Sequence, residues 1–106
     1  MVSSSRPLEL IHMDLCGPTR TGSVSGKRYV FVIVDDFSRF TWTLFAESKE
    51  QVFSMFESFI KKVENSLGTK VGAIRSDHGT EFENASFLQY CEEHGVSHNF
   101  SAPRSP

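Results

Sequence analysis

The sequence predicts an α/β domain, a mixed five-stranded sheet with helices packed against it. Three observations carry that prediction. Strand-length apolar runs, joined by short polar turns, fill the first part of the 106-residue chain, up to Phe45. The hydrophobic period then changes to that of a helix between Ser48 and Asn65. Beyond it, two short strands flank a second helical stretch, and strands joined through a helix lie parallel.

Leu8 to Leu15 reads as the first strand, stopped by Gly17 and Pro18. Gly17 to Gly26 is a loop rich in Gly, Ser and Thr. Tyr29 to Val34 is a continuous apolar run, suited to a strand covered on both faces. Asp35 to Arg39 makes a polar turn, and Phe40 to Phe45, aromatic and β-branched, is the third strand. Short connections make these three an antiparallel meander. Between Ser48 and Asn65, Val52, Phe56, Phe59 and Val63 form one stripe, flanked by Phe53, Met55 and Ile60. Ser48 and Gln51 have the form of a capping box, and Gly68 is placed to end the helix. Val71 to Ser76 is the fourth strand. Ala85 to His94 is the second helix, capped by Asn84 and ended by Gly95, and Val96 to Phe100 is the fifth strand. The first strand then lies centrally, between the meander and the parallel part.

Hydrophobic residues make up 39% of the chain, with ten Phe, and charged residues 23%, a composition that supports a packed core and excludes a disordered tail. The size allows one domain, running from Leu8 to Pro106 after a loose polar segment, Met1 to Pro7. No apolar run reaches the length of a membrane span, and the N-terminus lacks the apolar core of a signal peptide, so an intracellular protein is expected. A net charge of −2 argues against a self-sufficient DNA-binding domain; the pairs Lys27-Arg28 and Lys61-Lys62 read as solvated surface before they read as phosphate contacts. Cys16 and Cys91 read as two free, buried thiols. Cys91, His94 and His98 have a zinc-like spacing, but no second Cys lies close by to complete a four-ligand site.

The chemistry-bearing candidates are acids at strand ends. Asp14 sits just before the Gly17-Pro18 stop, and Asp77 directly follows the fourth strand. Carboxylates beside a buried sheet are rare unless paired or bound to a metal. If strands one and four are neighbours, the two acids converge at one edge of the sheet, as hard oxygen ligands for a divalent cation. The plain alternative for both is turn capping. Asp35 and Asp36 read as turn-making residues working with Ser38, with Asp35 as an accessory ligand candidate; Glu81, four residues after Asp77, is a further one. His12 and His78 adjoin the acids and read as packed or hydrogen-bonded side chains before phosphate contacts.

Several stretches in order resemble one family: H-M-D-L-C-G-P at 12–18, K-R-Y-V-F-V-I-V-D-D-F-S-R-F-T-W at 27–42, R-S-D-H-G-T-E-F at 75–82 and Y-C-E-E-H-G-V at 90–96. They resemble the catalytic core of retroviral-type integrases, and most closely the integrase segment of copia-type LTR retrotransposon Pol polyproteins. The resemblance covers nearly all of the chain from Pro7 onward. It implies an RNase H-like fold, with strands one to three antiparallel and strands one, four and five parallel. It also implies DNA integration as the function, with element ends and target DNA as partners, a homo-oligomer, no membrane, and the nucleus as the place of action. Asp14 and Asp77 match the first two acids of the family's D-D-E triad, which binds two Mg²⁺ or Mn²⁺ ions for phosphodiester cleavage and strand transfer. The third acid of that triad lies on a helix about 35 residues after the second Asp, near position 113, past Pro106. The chain therefore reads as an incomplete core, with the C-terminal helix missing, metal binding weak or absent, and little activity alone. The alternative is a non-catalytic nucleic-acid- or protein-binding remnant of a transposon polyprotein.

Overall fold

The computed structural model describes residues 4–19 and 28–101, so most of the Gly17–Gly26 loop, Lys27 and the tail after Ser101 lie outside the described residues. The elements are β1 (Leu10–Thr19), β2 (Arg28–Asp35), β3 (Thr41–Ala46), α1 (Val52–Leu67), β4 (Ala73–Ser76), α2 (Ala85–His94) and β5 (Ser97–Phe100). They build one five-stranded sheet in the order β3-β2-β1-β4-β5. The β1–β2 and β2–β3 pairs are antiparallel, and β1–β4 and β4–β5 are parallel. This is the predicted mixed sheet, with β1 in the middle. No helix among the described residues is long and apolar enough to cross a membrane.

Two local expectations are corrected. Gly17-Pro18 does not stop β1. The register with β2 runs from Ile11↔Asp35 to Cys16↔Val30, shifts, and resumes at Thr19↔Arg28. An irregularity absorbs the Gly-Pro pair where the partner strand continues alongside. The Ser48–Gln51 capping box does not form either. A 3₁₀ turn, Lys49–Gln51, precedes α1, and Ser48 makes no side-chain cap bond. The tighter turn moves the start of the helix, and Gln51 Oε1 instead accepts from the Glu47 N–H at 2.8 Å. The other ends follow the sequence. Gly68 (φ 68°) and Gly95 (φ 66°) take the left-handed conformation that ends α1 and α2. Asn84 caps α2 by accepting the Phe87 N–H at 3.0 Å.

α1 buries Val52, Phe56, Ile60 and Val63. Ile60 is the inward residue where the stripe had Phe59, which instead meets Trp42 edge-on at 5.1 Å, beside β3. Phe87 of α2 joins the two helices, with ring centroids 4.9 Å from Phe56 and 5.0 Å from Phe53. Phe82, fully buried after β4, reaches Phe31 of β2 at 5.8 Å. Aromatic pairs at such spacings add to the area they bury, so one cluster ties the sheet to both helices.

The entry to β1 is held by two contacts that the sequence does not announce. Leu8 is fully buried at φ 66°. Left-handed backbone at a non-glycine residue costs about 1–3 kcal/mol. It is offset by burial and by the buried Asp35 carboxylate, whose Oδ1 accepts the Leu8 N–H at 3.0 Å. Asp35 Oδ2 also accepts the Ser38 hydroxyl at 2.6 Å and the Ser38 N–H at 3.1 Å. Burial pushes the Asp35 carboxyl up, but the bonds from Ser38, Leu8 and the Phe37 amide outweigh it and hold it below its ordinary value. Opposite, Gly72 donates its N–H to Leu8 O at 3.1 Å and accepts from Ser97 N–H at 3.1 Å. A Cβ at Gly72 would lie 2.8 Å from Glu9 O, a backbone atom, so only glycine lets β1 approach β4 this closely. Residues 4–7 are also tied down: Ser4 Oγ donates to Asp36 at 2.6 Å, and the Arg6 guanidinium donates to Thr69 Oγ1 at 2.9 Å and to Lys70 O at 2.8 Å.

Two outcomes follow. Gly72→Ala forces the backbone apart where β1 meets β4, and is expected to lower the unfolding free energy by about 1–3 kcal/mol in urea titration. Asp35→Asn is expected to cost about 2 kcal/mol at pH 7. Because the folded carboxyl is held low, Asp35 contributes fully above its unfolded value of 3.8 and loses that contribution as pH falls through the folded value. The stability gap between the wild type and Asp35→Asn should therefore narrow below pH about 4, as measured by unfolding at pH 7, 4 and 3.

Candidate metal centre

Alternation along β1 turns Ile11, Met13 and Leu15 into the core and leaves His12, Asp14 and Cys16 on the other face. The parallel register with β4 pairs Leu10 with Ala73, Ile11 with Ile74 and His12 with Arg75. The pairing ends there; carried two residues further, its offset of 63 positions points from Asp14 to Asp77, one residue past the end of β4. β1 continues here against β2, with Asp14 beside Val32, while β4 ends at Ser76, still paired with Phe100 of β5. The two acids therefore stand where one strand ends and its neighbour goes on. Both are exposed.

Each carboxylate is steadied by a nearby amide. Asp14 Oδ1 accepts the Leu15 N–H at 2.9 Å, and Asp77 Oδ1 accepts the Gly79 N–H at 2.8 Å. Neither acid forms a salt bridge among the described residues. Cys16 Sγ lies 3.8 Å from Asp14 Oδ2. Cys16 is exposed, correcting the expectation of a buried thiol, because Asp14 and Cys16 share the outer face of β1. The Asp14 charge, helped by burial, pushes its thiol up, so it stays protonated. Cys91 is buried as expected, and burial pushes its thiol up as well.

The turn after β4 is braced from behind. The Ser76 hydroxyl donates to Asp77 O at 2.9 Å, and His98 Nε2 lies 2.9 Å from the same hydroxyl. The hydroxyl has one proton, which goes to the carbonyl, so His98 Nε2 is the donor to Ser76. Burial lowers the His98 pKa, which keeps the ring neutral. Phe100 is stacked between His98 at 4.1 Å and His78 at 4.7 Å, and His78 Nδ1 reaches Glu83 Oε1 at 3.0 Å. Glu81 folds back over Gly79, where an added Cβ would sit 2.5 Å from its Oε2.

The remaining candidates separate cleanly. Asp35 is buried at the start of the β1–β2 pairing, opposed to Ile11 and three residues along the ladder from Asp14, and its oxygens are taken by Leu8 and Ser38. It is a structural anchor. Asp36, a turn residue by its sequence, also accepts from Ser4 Oγ at 2.6 Å and His12 Nε2 at 2.8 Å, and Arg39 stands 3.5 Å away. The Ser4 and His12 hydrogen bonds hold its carboxyl down at about 2. Because that carboxylate only accepts, His12 carries its proton on Nε2. Nothing local in the sequence signals this pairing, which depends on strand register. The zinc-like spacing gathers nothing: His94 stacks on Tyr90 at 4.2 Å, His98 turns to Ser76, and no cluster of three His, Cys, Asp or Glu able to hold a metal occurs among the described residues.

With this geometry in view, three comparisons place the chain. A family model described as the integrase core domain matches residues 4–106. The chain is 37% identical over 99 residues to the retrovirus-related Pol polyprotein from transposon TNT 1-94 of Nicotiana tabacum, across 93% of this chain. It spans only 7–8% of the length of the curated polyproteins it matches. Among solved structures, it is similar to the HTLV-2 integrase catalytic core domain in complex with magnesium, with a TM-score of 0.68 at 21% identity, over 90% of this chain and 60% of that one. It is similar also to a chain of the simian T-cell lymphotropic virus intasome, with a TM-score of 0.73 at 18% identity, over 97% of this chain and 35% of that one. At such identities the structures establish the fold, the RNase H-like sheet of integrase catalytic cores, and the sequence relatives establish the lineage. The chain belongs to the integrase core domain family.

Proposed function

We propose that this chain is the catalytic-core segment of a copia-type retrotransposon integrase, acting in DNA integration by metal-dependent cleavage and joining of phosphodiester bonds. One observation supports the reading: β1 and β4 pair in parallel with an offset of 63 positions, the separation of Asp14 and Asp77 in the sequence. The donor set suits Mg²⁺ or Mn²⁺, since both groups are hard carboxylates, exposed and without a salt bridge among the described residues. When bound, such ions supply Lewis acidity at the attacking and leaving oxygens of the phosphodiester. The chain's own residues supply position. The Leu15 and Gly79 amides each hold one oxygen of an acid; the other oxygen of Asp14 accepts only the weak donor Cys16 Sγ at 3.8 Å. Ser76, seated on His98, fixes the carbonyl of Asp77 and with it the turn that carries the second acid. The partners of the complete protein are element ends and target DNA.

Metal binding is testable without turnover. Mn²⁺ titrated into the ¹⁵N-labelled chain is expected to broaden the Leu15 and Gly79 amide signals first, at millimolar affinity, and Asp14→Asn or Asp77→Asn to remove the effect. Selective broadening elsewhere, around Glu93 and His94 for example, would sink the assignment. A polypeptide of these 106 residues carries two of the three acids that the family resemblance implies. A nicking and strand-transfer assay on it with Mg²⁺ or Mn²⁺ is expected to give little or no product; robust turnover abolished by Asp77→Ala would show that two acids suffice.

A further inference from the structure

The face of the sheet that carries Asp14 holds a row of polar side chains just behind it. In register, His12 of β1 stands beside Arg75 of β4, and Arg75 stands beside Asn99 of β5. Residues paired across a sheet share a face, so these three lie on the same side as Asp14. The neighbours of Arg75 along β4, Ile74 and Ser76, are buried on the opposite face. Arg75 and Asn99 are exposed. His12 is committed, with Nε2 bonded to Asp36 at 2.8 Å. Arg75 forms no salt bridge among the described residues, so it does not neutralise either acid.

Spacing gives this row a ligand. Asp14 follows His12 by two residues on β1, and Asp77 follows Arg75 by two residues. Two residues along a strand advance about 6.6 Å. Successive phosphates of an extended nucleic-acid strand are separated by a similar step. A guanidinium offers a planar fork of N–H donors that matches two phosphate oxygens at once. Asn99 adds a neutral amide donor beside it. A strand whose phosphate meets a cation at the acids therefore brings its next phosphate toward Arg75. An acidic peptide has no such fixed repeat of charge, and its carboxylates fit this spacing less well.

We propose that Arg75, with Asn99 beside it, binds a backbone phosphate of the DNA strand, one nucleotide from the phosphate engaged at Asp14 and Asp77. The identity of that neighbouring phosphate rests on the proposed function, whereas the contact at Arg75 needs no metal. The role is to fix the register of the strand on the sheet, since a phosphate contact positions a nucleic acid without reading its sequence. In a chain of net charge −2, one guanidinium in the right place matters more than a general basic surplus.

The test is fluorescence anisotropy of a labelled DNA duplex of about 16 base pairs, titrated with the full chain in EDTA at about 20 to 150 mM NaCl. Arg75→Ala is expected to weaken binding about 5–10-fold and to lower the salt slope by about one. Arg75→Lys should keep the slope but lose about threefold, since the charge remains and the paired donors do not. Both variants change an exposed side chain, so circular dichroism should match the wild type. The spacing is read with Mn²⁺ present: a 5′-phosphorylated thymidine dinucleotide, with two phosphates one nucleotide apart, should bind the wild type about tenfold tighter than thymidine monophosphate, and Arg75→Ala should erase the difference. A wild type that binds no duplex, a loss in Arg75→Ala no larger than that in Lys61→Ala on the exposed side of α1, or a dinucleotide no tighter than the mononucleotide would each overturn the proposal. Mn²⁺ broadening of the Leu15 and Gly79 amides should survive Arg75→Ala. Its absence in a wild type whose duplex binding still depends on Arg75 would overturn the metal reading and leave the phosphate contact standing.

Discussion

The structure depends on the parallel pairing of β1 with β4. Parallel strands need a long connection, and here everything from β2 to α1 is spent between them before the pairing closes. Its closeness rests on Gly72, where any side chain would strike the backbone of Glu9. Its entry rests on Leu8, held in a strained conformation by a buried carboxylate. From these contacts the register runs from Leu10↔Ala73 to His12↔Arg75, two residues short of Asp14 and Asp77.

Four acids near the sheet have been sorted by environment into different tasks. Asp35 is buried, and its oxygens are committed to Leu8 and Ser38, so its charge stabilises the fold. Asp36 gathers Ser4, His12 and Arg39, and with Ser4 it secures the lead-in to β1. Asp14 and Asp77 are exposed, each with one local amide bond. The same residue type serves structure when its oxygens are used up and stays available for chemistry when they are not.

The aromatic residues show the same division. Phe56, Phe82 and Phe87 lie fully buried in the cluster that joins the sheet to both helices. Phe100 is spent on the turn behind Asp77, stacked between two histidines. Phe37, Phe40 and Phe45 remain at the surface beside the open edge strand, where the core has no use for them.

Much of this was legible in the sequence because it depends on neighbours along the chain. Apolar period distinguishes strands from helices, Asn84, Gly68 and Gly95 act on amides and carbonyls within a turn of themselves, and short loops dictate antiparallel order. Asp77 could be named because it adjoins the end of β4; Asp14, expected near a strand end, lies in the middle of β1. What reasoning along the chain missed depends on partners distant in sequence. Gly17-Pro18 looks like a stop until β2 is seen to run past it, and Gln51 answers to a 3₁₀ turn rather than to Ser48. The His12–Asp36 bond, the Leu8–Asp35 bond and the need for glycine at 72 exist only once three strands are in register. The residues by themselves determined which segments are strands and which are helices. Only tertiary packing decided that Asp14 and Asp77 are exposed while Asp35 is sealed away, because register is set by contacts between strands and no local preference encodes it.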